Sequence, residues 1–239
     1  MQVTTKALVL SSLKYGDTSL IVRAFTLSDG PKGYLLKGVL TSRKGKLRPA
    51  LFQPLTQLEL VAQHRNKGTL ESIKEAKVLY HYQTLHSDIV KNSIVLFLAE
   101  MLSITLQEGD ADPNLYAFLE YALHWLDHHE HTAHFPIFFL LQLTQYLGFF
   151  PDISNKELPY FDLQEACFVN TPTLNPMLEG NVLHTFKLFL GINFDDLKSI
   201  ETNKQHRQEL LQKVLLYFEL HLHGYRKPKS LAVLNTVFG

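Results

Sequence analysis

At 239 residues, with 46% hydrophobic and 19% charged side chains, the chain can build a sizeable core as one large domain or two ordinary ones, which excludes a disordered polymer. A single cysteine, Cys167, excludes an internal disulfide and a thiolate zinc cage. The formal net charge of zero conceals an asymmetry: through Lys77 there are thirteen Lys/Arg against five Asp/Glu, net +8, and the remainder carries ten against eighteen, net −8.

The first eighty or so residues read as β. Ala7 to Leu10 is a short apolar run, and Ser19 to Thr26 is rich in β-formers. Asp29–Gly30–Pro31 is a turn signal before Tyr34–Leu35–Leu36, since Gly tolerates positive φ and the Pro ring presets its own φ at a negative value. Leu55 to Val61 alternates, and Asn66–Lys67–Gly68 then turns the chain into Thr69–Ile73. Five short strands in that space predict a small barrel, because closure removes exposed edges.

From Tyr80 the period becomes helical. Ile89, Val90, Ile94, Phe97, Leu98, Met101 and Leu102 form an amphipathic stripe. Asp112–Pro113 opens a second helix with an inner stripe of Leu115, Phe118, Leu119, Ala122, Leu123 and Leu126. Phe135 to Leu147 is apolar nearly all round, which predicts a buried central helix ended by Gly148 and Pro151. Residues 149–176 read as irregular, with a hairpin around Tyr160–Phe161 and Cys167–Val169. Leu178–Leu190, Glu201–His223 and Ser230–Val237 read as helices. No segment opens the chain as a signal peptide and the most apolar stretch is too short to span a bilayer, so a soluble, cytoplasmic protein is expected.

The sharpest functional signal is Lys32, Lys37, Arg43, Lys44, Lys46 and Arg48, a run of cations with no acid and with Gly33, Gly38 and Gly45 between them. Lys and Arg release condensed counterions from phosphate backbones, so this segment is expected to face nucleic acid; the competing reading is a solvated face. Tyr15, Phe25, Tyr34 and Phe52 are candidate base-stacking aromatics, although strand aromatics are more often core. His124, His128 and His131 share one helical face, opposite the Leu115–Leu126 stripe, and no carboxylate or thiol completes a metal set, so no metal is expected. Phosphate loops, nucleophile elbows and His-Glu-x-x-His are missing, and Asp195–Asp196 reads as a helix start, so catalysis is not expected. Arg226, Lys227 and Lys229 place three cations in an acidic module, as a charged connector or a clamp for an acidic peptide.

In this order the residues resemble RecO, the bacterial recombination mediator family: Ala7–Ser12, Tyr15–Thr18, Phe25–Gly30, Lys37–Gly38 and Leu51–Leu55, then Tyr146–Phe149 with Pro151, and Arg207, Leu210–Leu211 and Lys229–Ser230. The resemblance implies an N-terminal OB-fold over residues 1–80 and an all-α helical domain over 81–239. It also implies binding of single- and double-stranded DNA, annealing of complementary strands, and loading of a recombinase onto DNA coated by single-strand-binding protein. The implied partners are RecR and the acidic, hydrophobic tail of that coating protein, with no cofactor. Some members carry a four-cysteine zinc module near positions 150–180; only Cys167 stands there, so packing of Tyr160–Val169 is expected to replace the metal. The rival reading is a non-catalytic scaffold whose basic barrel binds an acidic protein. A metalloenzyme built on the clustered histidines ranks third.

Overall fold

The computed structural model describes residues 1–41, 47–65, 68–107 and 109–238. Two compact units, Met1–Tyr121 and Ala122–Gly239, divide the chain. The first is built on five antiparallel strands: β1 (Gln2–Tyr15), β2 (Ser19–Thr26), β3 (Gly30–Leu36), β4 (Gln57–Gln63) and β5 (Ser72–Val78), in the order β3-β2-β1-β4-β5.

The strand β1 is longer than its apolar run because it lies between β2 and β4 and bonds both, so that Gln2–Leu8 also pair with β4 despite their polar residues. A bulge between Val9 and Ser11 shifts the register, and Ala7, Leu8, Val9 and Leu10 are all buried. Pro31 lies inside β3 rather than before it, paired with Phe25. This is tolerated because β3 is a sheet edge, where a missing N–H costs no ladder bond.

Among the described residues the two edges meet through one parallel bridge, Tyr34 to Glu71. There the Leu35 N–H donates to the Glu71 carbonyl (2.9 Å) and the Glu71 N–H donates to the Gly33 carbonyl (2.8 Å). The sheet is therefore an OB-type barrel, β1-β2-β3 then β5-β4 returning to β1, open along the β3/β5 seam except at that bridge. Its core includes Val22, Tyr34, Leu36, Leu58, Leu60 and Ile73, and the short 3₁₀ helix Pro49–Phe52 contributes Phe52. Each such large side chain stabilises the barrel by about 1.5–3 kcal/mol on burial.

Helix α1 (Ile89–Thr105) packs against β1, capped by Asp88, whose carboxylate accepts the Lys91 N–H (2.9 Å). Helix α2 (Pro113–His128) starts at Asp112, whose Oδ1 accepts from the Asn114 and Leu115 N–H groups. In the second unit α3 (Phe135–Tyr146) is buried almost all round, as an apolar helix must be; Gly148, at φ +84°, ends it. Trp125, Phe135 and Phe194 stack beside it, centroids 5.7 Å apart. Asp195–Asp196 fall in a 3₁₀ helix (Phe194–Ser199) whose capping box pairs Asn193 with Asp196, while Asp195 accepts the Trp125 indole N–H at 3.2 Å. Helices α4 (Gly180–Leu188), α5 (Lys204–His221) and α6 (Leu231–Val237) complete the unit, each shorter than its apolar pattern.

The segment between α3 and α4 is more ordered than its composition predicts. Strands β6 (Tyr160–Asp162), β7 (Cys167–Val169) and β8 (Met177–Leu178) form a small sheet, order β7-β6-β8. At its centre the buried Asp162 carboxylate accepts four donors: the Gln164 N–H (2.9 Å), the Glu165 N–H (3.0 Å), the Thr173 hydroxyl (2.6 Å) and the Asn175 amide (3.1 Å). Burial pushes this carboxyl up, but those hydrogen bonds outweigh burial and hold it below the usual carboxylate range. The neighbouring Phe161 is buried, edge-on to Phe168 and tilted against Phe186, with centroids 4.9 Å apart in each pair.

Candidate nucleic-acid interface

The β3/β5 seam carries a groove of about 720 Å³. Lys37 enters it from the end of β3, Arg65 from just after β4, and Lys74 from β5; all three are exposed. Leu35, Val39, Leu47, Leu70 and Ile73 are among the apolar residues of its walls. Among the described residues the one carboxylate lining it is Glu71, which is buried and accepts the Arg65 backbone N–H at 2.9 Å, so three cations against one acid leave these walls at net +2. Lys74 donates to the Gln2 amide oxygen (2.6 Å), which leaves its charge intact. Among the described residues no carboxylate pairs with Lys37, Arg65 or Lys74. Unneutralised cations converging on an open groove form a cradle for a polyanion.

Behind the seam a buried relay fixes the end of β4. The Tyr34 hydroxyl meets His64 Nε2 at 2.8 Å, and His64 Nδ1 meets Asp29 Oδ2 at 2.9 Å. Burial, with added repulsion from Asp29 and Glu71, raises the Tyr34 phenol far above its ordinary value, so it stays protonated beside Nε2. The Asp29 carboxylate, an acceptor, faces Nδ1. The His64 N–H is bonded to the Met1 carbonyl (2.9 Å), so the residue preceding Arg65 is held on both its backbone and its ring.

Of the cations expected at the interface, Lys37 lies in the groove and Arg48 is exposed beside Leu47, a groove residue, at the start of Pro49–Phe52. Lys32 is half-buried, pairs with Ala24, and sits five residues from Lys37 with the opposite strand parity, about 16 Å away on the other face of β3. Arg43, Lys44 and Lys46 lie outside the described residues. Reading by sequence proximity missed Arg65 and Lys74, which only the β3/β5 bridge brings beside Lys37. Their signal was the predicted barrel itself, since closing it sets the third strand beside the fifth.

Two other cations of the basic third are engaged structurally. Arg23 donates to the Ser103, Leu106 and Gln107 carbonyls at 3.3–3.4 Å, capping the end of α1, and Lys6 pairs with Glu120 at 3.2 Å. The aromatic expectation needs correction. Phe25, Tyr34 and Phe52 are at most 2% exposed: strand parity turns Tyr34 into the barrel core, Phe52 reaches that core from its 3₁₀ helix, and Phe25 is covered on the outer side by Tyr116; of the four, only Tyr15, at the β1 end and 57% exposed, could meet a base.

The second unit holds a narrow apolar groove of about 30 Å³ between α3, α5 and α6, lined by Pro136, Ile137, Leu211, Leu234 and Phe238 with Lys204 and Arg207 at its rim. Arg207 is oriented by donating to the Thr202 carbonyl (2.9 Å), while the Thr202 hydroxyl bonds His134 Nε2 (2.8 Å). Burial first, then the Arg207 charge, lowers the His134 pKa from 6.5 to about 4, so the ring is neutral at pH 7. Arg226, Lys227 and Lys229 are exposed on the segment before α6 and are not part of the groove walls.

The histidine run is engaged locally. His128 and His129 donate Nδ1–H to the carbonyls four residues earlier (2.8 and 2.7 Å), and His129 stacks on Trp125 at 4.0 Å. Among the described residues no three His, Cys, Asp or Glu side chains converge as a metal requires. The Cys167 thiol is pushed up by burial and by Asp162, Glu165 and Asp152. A lone, acid-flanked thiol does not fit a four-cysteine zinc site; the Asp162 hub ties together the turns beside it. Among the described residues no helix is long and apolar enough to cross a membrane.

An OB-type barrel with a cationic seam, followed by a mainly helical region, defines a modular protein of the small-barrel class. Residues 1–82 match the family described as Recombination protein O N terminal, and residues 86–231 match Recombination protein O C terminal. Three proteins named DNA repair protein RecO are 48% (Christiangramia forsetii), 45% (Flavobacterium johnsoniae) and 43% (Flavobacterium psychrophilum) identical, each alignment covering all of both chains. The chain belongs to the RecO family of DNA repair proteins.

Proposed function

We propose that the chain is a recombination mediator that binds single- and double-stranded DNA along the seam groove, anneals complementary strands, and helps load the recombinase onto DNA coated by single-strand-binding protein. The observation that carries the reading is the convergence of Lys37, Arg65 and Lys74, none paired with a described carboxylate, on one groove of an OB barrel. Strand charge is neutralised and bases stay exposed, so pairing is promoted without any bond being made or broken; the protein acts without catalysis or cofactor. Arg48, beside Leu47, extends the same cationic face.

The acidic, hydrophobic tail of the coating protein is assigned to the groove between α3, α5 and α6. Pro136, Ile137, Leu211, Leu234 and Phe238 receive its apolar end, Lys204 and Arg207 its carboxylates, and Arg226, Lys227 and Lys229 add long-range attraction. RecR completes the set of partners, in the cytoplasm. Strand annealing measured with and without the coating protein tests the reading. Acceleration of bare and coated strands alike is expected. A protein that binds neither strand, yet captures an acidic protein through the barrel, would establish the scaffold reading instead.

A further inference from the structure

The small sheet β7-β6-β8 presents an apolar knob. Leu174 lies on the loop leading into β8, between Pro172 and Pro176, and its side chain is fully exposed. It is braced on both sides: the Thr173 hydroxyl and the Asn175 amide donate to the buried Asp162 carboxylate (2.6 and 3.1 Å), and the Asn175 N–H donates to Thr173 Oγ1 (3.2 Å). Register sets Asp162 opposite both Cys167 and Met177, so the 163–166 turn and the 173–176 loop leave the sheet at one end. The Asp152 N–H donates to the Ala166 carbonyl of that turn (2.8 Å), which brings a second exposed aliphatic, Ile153, to the same end. Asp152 and Glu165 are exposed there, and with Asp162 they push the Cys167 thiol up. Residues 149–180 hold five Asp/Glu against one Lys, net −4, and that Lys156 donates to the Leu190 carbonyl (2.9 Å).

Ordering a loop around a leucine left in water gains no burial, so the brace suits a surface that is covered in use. Its complement needs apolar walls and a cationic rim. The chain carries such a surface itself: the seam groove, about 720 Å³, has Leu35, Val39, Leu70 and Ile73 on its walls with Lys37, Arg65 and Lys74. The first 77 residues at net +8 and the remainder at net −8 attract each other between copies as well. We propose that the Leu174 knob of one copy docks in the seam groove of a second copy, Leu174 and Ile153 against the apolar walls and Asp152 and Glu165 against the cationic rim. Knob and groove are different surfaces, so the contact is heterologous and either closes into a ring or adds copies in a row. Two aliphatic side chains and a few rim charges make it weak. It covers the groove where the protein is concentrated and polynucleotide scarce, and polynucleotide displaces the knob. Only this last competition rests on the DNA-binding reading.

Sedimentation velocity of the full chain from about 1 μM to about 1 mM reads the association. At low salt the average mass is expected to rise with concentration, and the rise to shrink at high salt. Leu174→Ser is expected to weaken association about tenfold, and Leu174→Met to retain it. Asp152→Lys with Glu165→Lys, and separately Lys37→Glu with Lys74→Glu, are each expected to stay monomeric. An equimolar mixture of those two variants is expected to associate, because reversed knobs then meet reversed grooves. Thermal melting checks the fold of each variant. A native chain that is monomeric at every concentration overturns the docking, as does Leu174→Ser associating like the native chain, or a mixture of folded charge-reversed chains that stays monomeric. Adding a labelled single-stranded oligonucleotide to the native assembly is expected to return monomers. Assembly that persists with the oligonucleotide bound overturns the placement in the groove. Assembly that persists because the oligonucleotide does not bind overturns the DNA reading and leaves the docking standing.

Discussion

Replacing Lys37, Arg65 and Lys74 together by Gln removes three charges from the seam while preserving side-chain length and leaving the barrel core untouched. For single strands, the logarithm of the affinity falls with the logarithm of salt concentration at about −0.7 per neutralised phosphate, so three groove contacts account for about −2.1 of the slope. Between about 50 and 200 mM salt, a fourfold change, that share corresponds to about 20-fold in affinity. Fluorescence anisotropy with a labelled single-stranded oligonucleotide across this range should give the native chain a slope steeper by about 2, and the variant an affinity that falls about 20-fold less. Near-equal slopes would show that phosphates do not lie on these three residues and would refute the groove. A parallel loss of affinity at every salt concentration would point instead to damaged folding, which a thermal melt identifies.

Asp162→Ala should destabilise the second unit by about 3 kcal/mol, because four donors lose their acceptor inside the small sheet; an unchanged melting temperature would refute the hub. Because the folded Asp162 carboxyl lies below its ordinary 3.8, its contribution is present above that pH and is lost on acidification through the folded value, so an acid titration of the native chain should show a stability loss that Asp162→Ala lacks. His134 has the opposite origin but the same direction. The unfolded ring binds its proton more tightly than the folded one, so stability is full above 6.5 and declines as pH falls towards 4. His134→Gln should remove a pH-dependent loss of about 2 kcal/mol across that window, read as the difference between the two melting curves. Lys204→Glu and Arg207→Glu should each weaken binding of an acidic peptide with an apolar C-terminal residue at least about tenfold by calorimetry, and equal binding by all three proteins would move the peptide site elsewhere.

Periodicity located most elements but not their company. The apolar stripes of α1, α2 and α3 were legible because a helix buries every third or fourth residue whatever its neighbours. The extent of β1 was not: Gln2–Lys6 and Ser11–Tyr15 are held in the sheet by their backbones, and backbone pairing leaves little trace in side-chain polarity. Asp29–Gly30–Pro31 marked a turn, yet Gly30 and Pro31 begin β3, and a Cβ on Gly30 would strike the Asp110 carbonyl oxygen at 2.5 Å. That demand comes from a segment eighty residues away and cannot be read locally. The candidate site residues divide in the same way. Lys37 stood in a visible run of cations, whereas Arg65 and Lys74 join it only through the Tyr34–Glu71 bridge. Between α3 and α4 the hairpin of β6 and β7 was legible, whereas β8 and the organiser were not, because Asp162 is a buried carboxylate with four donors in a stretch of turn-forming residues.

The bridge between β3 and β5 has a thermodynamic corollary. Among the described residues two backbone bonds clasp the barrel along that line, and they join residues 36 and 38 apart in the chain, Leu35 with Glu71 and Gly33 with Glu71. Any polyanion laid across Lys37 on one side and Arg65 and Lys74 on the other becomes a third fastening, present only while cargo is bound. Loading and barrel cohesion then share one equilibrium: occupancy slows the breathing of the Leu35 and Glu71 amides, and a clasp that gives way lets the cargo go.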